Sequence, residues 1–122
     1  MFADTFLVYL MPRCGKTNEI ILSPKKIYSA DLGIRNLFTE FRDIGSLFEN
    51  YVYLKIRDRN PCYIYESGIE IDFMTKDKTL IEVKYMNELT PKQKSLIEKT
   101  KAKEKLMIRG IKDARSFLRI EI

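Results

Sequence analysis

The chain alternates short apolar runs with polar breaks, and the period of each run predicts its element. Residues 5–10 (TFLVYL) and 26–29 (KIYS) read as strands separated by a polar stretch that Pro24 closes, so 1–30 is expected to form a hairpin-like lead-in. In SADLGIRNLF, Asp31 is placed to cap a short helix through its side-chain oxygen. Over 44–59, Leu47, Phe48, Tyr51, Val52, Leu54 and Ile56 mark one broad helix face, which Gly45-Ser46 opens and Asn60-Pro61 ends. Strands are expected next at 62–66, 69–75 and 79–86. In the second of these, Ile69, Ile71 and Phe73 alternate with Glu70, Asp72 and Met74; in the third, Ile81, Val83 and Tyr85 alternate with Leu80, Glu82 and Lys84. That period of two predicts one apolar face and one mostly charged face. Thr90 is the expected N-cap, and Pro91 the first residue, of a helix whose apolar stripe is Leu96 and Ile97. Residues 106–109 read as a fourth strand, 112–118 as a short helix and 119–122 as an edge strand. From residue 44 the order is helix, strand, strand, strand, helix, strand, which predicts an α/β domain over 31–122 with a mixed central sheet flanked by helices.

Composition narrows the chemistry more than the fold. A chain of 122 residues, 45% hydrophobic and 32% charged, is sized for one globular domain with one core. Its apolar runs are too short to span a bilayer, and MFADTFLVYLMPRC has neither a basic leader nor a small-residue cleavage site. Cys14 and Cys62 lack metal-type spacing and a disulfide-rich context, so reduced thiols in a cytoplasmic protein are the expectation. Histidine is absent, which excludes Ser-His and Cys-His nucleophile systems and imidazole-bound zinc. Hydrolytic chemistry would have to rest on carboxylates, lysines and hard metal ions. The net charge of +5 is concentrated at one end: residues 91–122 hold ten Lys/Arg against four Asp/Glu. That excess suits a polyanion partner and, equally, a solvated lysine-rich helix face.

The charged strand face poses a physical problem. A tight turn at Lys76-Asp77-Lys78 sets Asp72 opposite Glu82 and Glu70 opposite Lys84. Facing side chains of this kind have Cβ atoms roughly 4.5–5.5 Å apart, where like charges destabilise the pair. Two carboxylates so placed share either a proton or a cation, and Mg²⁺ or Mn²⁺ suits oxygen ligands. Lys84 projects from the face of Glu82, and a metal flanked by a lysine is equipped for phosphodiester hydrolysis without histidine. The competing reading is a wet antiparallel face in which Glu70 pairs with Lys84. PRCGKT ends like a phosphate-binding loop, but position 10 is leucine where that loop needs glycine, and EIILS with Pro24 leaves little room for the required helix. Tyr51, Tyr53, Tyr63, Tyr65 and Tyr85 are expected to be partly buried rather than to stack on bases.

Asp72, followed ten positions later by Glu82-Val83-Lys84, resembles the motif of the PD-(D/E)xK nuclease superfamily, whose fold is restriction-endonuclease-like. SGIEIDF before IEVK is similar to the form found in Holliday-junction resolvases. The resemblance implies a DNA-cleaving domain in which Asp72, Glu82, Val83 and the helix-borne Glu49 surround Mg²⁺ or Mn²⁺ while Lys84 orients the attacking water. Lys92, Lys94, Lys99 and Lys101 would contact DNA phosphates without reading sequence. Gln93 stands where related nucleases carry a supporting polar residue, although a solvated helix position is the expectation. SPKKIYSADLGIRN, IGSLFENYVYLKI and YIYESGIEIDF extend the resemblance over about 5–120, to the C-terminal domain of archaeal and bacterial AAA-type ATPases. On that pattern 1–30 would be the remnant of a preceding winged-helix region. The chain would then act beside an ATPase module, or self-associate through 1–30. A catalytically silent module binding nucleic acid or protein is the alternative.

Overall fold

The computed structural model describes residues 7–32 and 44–110. The helix expected after Asp31, the helix at 112–118 and the strand at 119–122 lie outside them. Strands β1 (Val8–Met11) and β2 (Lys26–Ser29) pair antiparallel, Tyr9 opposite Tyr28 and Met11 opposite Lys26. A six-residue helix, α1 (Thr17–Leu22), forms between them, its start capped by Glu19 Oε1 accepting the Lys16 N–H at 2.9 Å. This corrects the expectation that EIILS and Pro24 leave little room for a helix. The case against a phosphate loop now rests on Leu10, which sits within β1.

Helix α2 (Ile44–Ile56) passes into a 3-10 turn (Arg57–Arg59) that ends at Asn60 in the left-handed region, φ 51°. The main sheet follows: β3 (Cys62–Glu66), β4 (Ile69–Met74) and β5 (Thr79–Val83) run antiparallel to their neighbours. Helix α3 (Pro91–Lys99) then returns the chain so that β6 (Glu104–Ile108) lies parallel to β5. The strand order is β3-β4-β5-β6, a four-stranded mixed sheet in an α/β protein. Helix α3 starts where its caps require. The Thr90 hydroxyl accepts the Gln93 N–H at 3.1 Å, and the Gln93 side chain accepts the Thr90 N–H at 3.2 Å.

A helix covers each face of the sheet. Phe48, Val52, Tyr53 and Ile56 of α2 meet Phe73, Ile81, Val83 and Ile108, and Met11 and Tyr28 of the hairpin join the same cluster. On the other side Leu96 of α3 packs with Ile64, Ile71, Met74 and Leu80. Residues 71–74 and Thr79–Val83 are buried throughout. The wet antiparallel face of the competing reading does not form: these strands are covered on both faces.

The period of two also breaks. Cys62 pairs with Met74 but Ile64 with Ile71, so Asp72 and Phe73 together oppose Tyr63 in a β-bulge. The extra residue sends Ile71 towards α3 and Phe73 towards α2. The two cysteines form a disulfide, Cα atoms 5.0 Å apart, which corrects the expectation of reduced thiols. Backbone bonds from Cys14 N–H to Tyr63 O (2.7 Å) and from Tyr63 N–H to Pro12 O (3.1 Å) align the two segments and bring the sulfurs together. No helix among the described residues is long and apolar enough to cross a membrane.

Candidate functional site

The site grows out of a gap between β4 and β5. Their ladder consists of Phe73↔Ile81 and Met74↔Leu80, in the register that a Lys76-Asp77-Lys78 turn predicts. One step further, side chains take over from backbone. The Asp72 N–H donates to Glu82 Oε1 at 2.9 Å, and the Val83 N–H donates to Asp72 Oδ2 at 2.8 Å. Each carboxylate thus satisfies a backbone donor of the opposite strand, and this cross-bridging lets two acids sit together at 7% and 3% exposure.

The electrostatics still disfavour two charges here. Burial, then Glu49 and Glu82, push the Asp72 carboxyl well above its usual range, against the opposing pull of Lys26 and the Val83 amide. Glu82 is raised as well, mainly by burial, with the Asp72 N–H and Lys84 opposing. The competing picture of a solvated charged face does not survive this geometry.

Asp72 and Glu82 also line an open cavity of about 370 Å³, with Glu49, Glu70, Lys84 and Gln93 among its other residues. Lys84 Nζ stands 3.8 Å from Glu82 Oε2, as expected of a residue two positions along the same strand direction. Gln93 departs from its expected solvated position. Its amide donates to Glu82 Oε2 at 3.2 Å and to the Glu70 carbonyl at 3.4 Å, so α3 reaches into the site. Val83 contributes its N–H to Asp72 and its side chain to the core.

Lys26 is the residue that pattern reading missed. Its ammonium lies 2.9 Å from Glu70 Oε2, 3.1 Å from Glu49 Oε2 and 3.8 Å from Asp72 Oδ1. Glu70 is therefore paired with Lys26, where the register argument had offered it Lys84. Burial works against the charge on Lys26, but Glu49, Glu70 and Asp72 outweigh it and hold its pKa above the usual lysine range. The Tyr28 hydroxyl donates to the same Glu49 oxygen at 2.6 Å. Glu49 does stand beside Asp72, as the motif implies, yet Lys26 and Tyr28 already engage it. The signal was present in KIYS: Lys26 and Tyr28 turn inward while Ile27, 67% exposed, turns out, the reverse of an ordinary amphipathic strand.

The hairpin that carries Lys26 is anchored by buried Asn50 of α2. Its amide oxygen accepts the Ser29 N–H and its amide nitrogen donates to the Ser29 carbonyl, both at 2.9 Å. The four lysines expected to meet DNA are all exposed along α3 and just beyond it. They do not form one group with the carboxylates: Lys99 and Lys101 line a separate cavity of about 340 Å³ with Arg13, Glu19 and Glu66.

No protein-family profile, curated protein or solved structure matches this chain. What the arrangement does must follow from its own groups. Among the described residues no three His, Cys, Asp or Glu side chains converge on one metal position. The free donors at the cavity are nevertheless all hard oxygens, the kind that Mg²⁺ and Mn²⁺ take. Mg²⁺ in particular is commonly held by one or two carboxylates, with waters and substrate phosphates completing its shell. Glu49, Glu70, Asp72 and Glu82 against Lys26 and Lys84 leave a formal charge of −2, which one divalent ion neutralises.

Proposed function

We propose that this chain is a metal-dependent nuclease-like domain with a restriction-endonuclease-like core, which hydrolyses DNA phosphodiester bonds. One observation carries the reading: Asp72 and Glu82 each commit one oxygen to the opposite strand, and both line a cavity that Lys84 also lines. A bound Mg²⁺ or Mn²⁺ would polarise the phosphate and acidify a water ligand. Asp72 Oδ1 and Glu82 Oε2 are the groups that would hold it. The Val83 N–H fixes the Asp72 carboxylate and the Asp72 N–H that of Glu82, each through the opposite oxygen. Lys84 places positive charge where the scissile phosphate gains negative charge. Lys92 and Lys94, which flank Gln93 on α3, supply backbone-phosphate contacts of the kind that position a duplex without reading it.

A second reading is favoured by Lys26. Its hold on Glu49 and Glu70 suits a catalytically silent module that binds nucleic acid or a partner protein, such as the C-terminal piece of an AAA-type ATPase. The outer face of the hairpin, where Val8, Leu10 and Ile27 are exposed, offers apolar surface for a partner. The deciding experiment is DNA cleavage with Mg²⁺ or Mn²⁺, run beside Asp72→Ala and Lys84→Ala. Cleavage by the wild type that both substitutions abolish supports the nuclease. No cleavage, with salt-sensitive DNA binding retained, supports the silent module.

A further inference from the structure

We propose that Lys26 sets the affinity of this site for divalent cations: its ammonium is a tethered counter-cation that a metal ion must push aside. The proposal rests on the metal reading of the Asp72–Glu82 pair and extends it to a residue outside the motif.

Three carboxylates from two elements, Glu49 of α2 and Glu70 and Asp72 of β4, converge on Lys26 Nζ. Lys26 meets Asp72 through Oδ1. That is the oxygen left over once Oδ2 has accepted the Val83 N–H, and hence the oxygen a metal ion requires. A Mg²⁺ ion bonded to Oδ1 at about 2.1 Å would stand no more than roughly 6 Å from an ammonium 3.8 Å from the same oxygen. Like charges that close, at the edge of a buried site, repel strongly. The two cations therefore compete for one acceptor.

The lysine is also built to move. Its side chain is 22% exposed and that of Glu70 42%, so the cluster opens to solvent beside Glu70. A long cationic side chain swings its head towards water at little cost to the contacts of its stem. Once it leaves, Glu49 keeps the Tyr28 hydroxyl. Glu70 and Asp72 each gain a free oxygen, and the site charge falls from −2 to −3.

The test is Mn²⁺ titration of the full chain by isothermal calorimetry, comparing wild type, Lys26→Met and Lys26→Arg. Lys26→Met should bind Mn²⁺ at least tenfold more tightly than wild type, whereas Lys26→Arg, which keeps the charge, should stay near wild type. Lys26→Met binding no tighter than wild type overturns the assignment of Lys26 and leaves the metal reading standing. Absence of Mn²⁺ binding in both folded proteins overturns the metal reading and this proposal together. If Lys26→Met does not fold, the wild type alone decides: 10 mM Mg²⁺ should raise the rate at which an amine reagent acylates Lys26, followed by mass spectrometry. An unchanged or slower rate rejects the displacement.

Discussion

Replacing Asp72 by asparagine is expected to stabilise the metal-free protein at neutral pH. The substitution keeps the bond that matters locally, because an amide oxygen accepts the Val83 N–H as Oδ2 does, now at 2.8 Å. What disappears is a charge the site resists: burial, Glu49 and Glu82 raise the carboxyl well above its usual range. A raised folded-state pKa means that folding favours the protonated acid. That contribution is complete below the ordinary aspartate value of about 3.9 and is lost as pH climbs through the raised one. Ionising the acid in the folded wild type costs about 1.4 kcal/mol for every tenfold by which the site weakens it. For 122 residues the unfolding entropy is about 0.26 kcal/mol/K, so each tenfold amounts to about 5 °C in Tm. Differential scanning calorimetry in EDTA should therefore find Asp72→Asn melting above wild type at pH 7.5, with the gap largely closed at pH 4. Saturating Mn²⁺ should reverse the ranking: a hundredfold excess over Kd adds about 2.7 kcal/mol, near 10 °C, to the wild type alone. A variant that melts below wild type at pH 7.5 in EDTA, or a gap of equal size at both pH values, would refute the reasoning.

Other outcomes follow from the same contacts. The Cys14–Cys62 disulfide spans a sequence separation of 48, for which loop-closure entropy gives about 4 kcal/mol. Cys62→Ser should lower Tm by up to about 15 °C, and free thiols found by alkylating the unreduced native protein would contradict the bond. Asn50→Ala strands the Ser29 N–H and carbonyl together and should cost about 2–4 kcal/mol by urea denaturation; a loss under 0.5 kcal/mol would show that the hairpin docks by other means. Leu96→Ala opens a cavity under α3 at a residue 5% exposed and should cost about 2–4 kcal/mol. An unchanged urea midpoint would argue against the burial of that helix.

What the amino-acid pattern reveals depends on how locally each feature is determined. The ends of α2 and α3 are legible because Asn60-Pro61 and the Thr90–Gln93 capping box act within one turn. The opposition of Asp72 and Glu82 is legible because a tight turn sets the register a few residues away. Lys26 and the disulfide are not, because both depend on where the hairpin docks. Contacts between Lys26 and Asp72, or between Cys14 and Cys62, join segments more than forty residues apart, and no local period encodes them. The bulge at Asp72–Phe73 escapes for another reason. Alternation was read across it as though unbroken, and one extra residue inverts every facing beyond it.

That bulge explains how a sheet covered on both faces holds acids at its centre. Regular pairing would have used the Asp72 and Val83 amides on backbone carbonyls, taking one backbone donor from each buried carboxylate. The extra residue opposite Tyr63 disrupts the β4 side, and the β4–β5 ladder stops at Phe73↔Ile81. Two N–H groups are thereby released to the carboxylates of Asp72 and Glu82. Only one oxygen of each acid is consumed in this way, so the same irregularity that makes the burial tolerable leaves Asp72 Oδ1 to the Lys26 ammonium and Glu82 Oε2 to the Gln93 amide beside the cavity. Any substitution at Tyr63 or Phe73 that restored regular pairing would return the Asp72 and Val83 amides to backbone carbonyls and take from the two carboxylates the donors that make their burial tolerable.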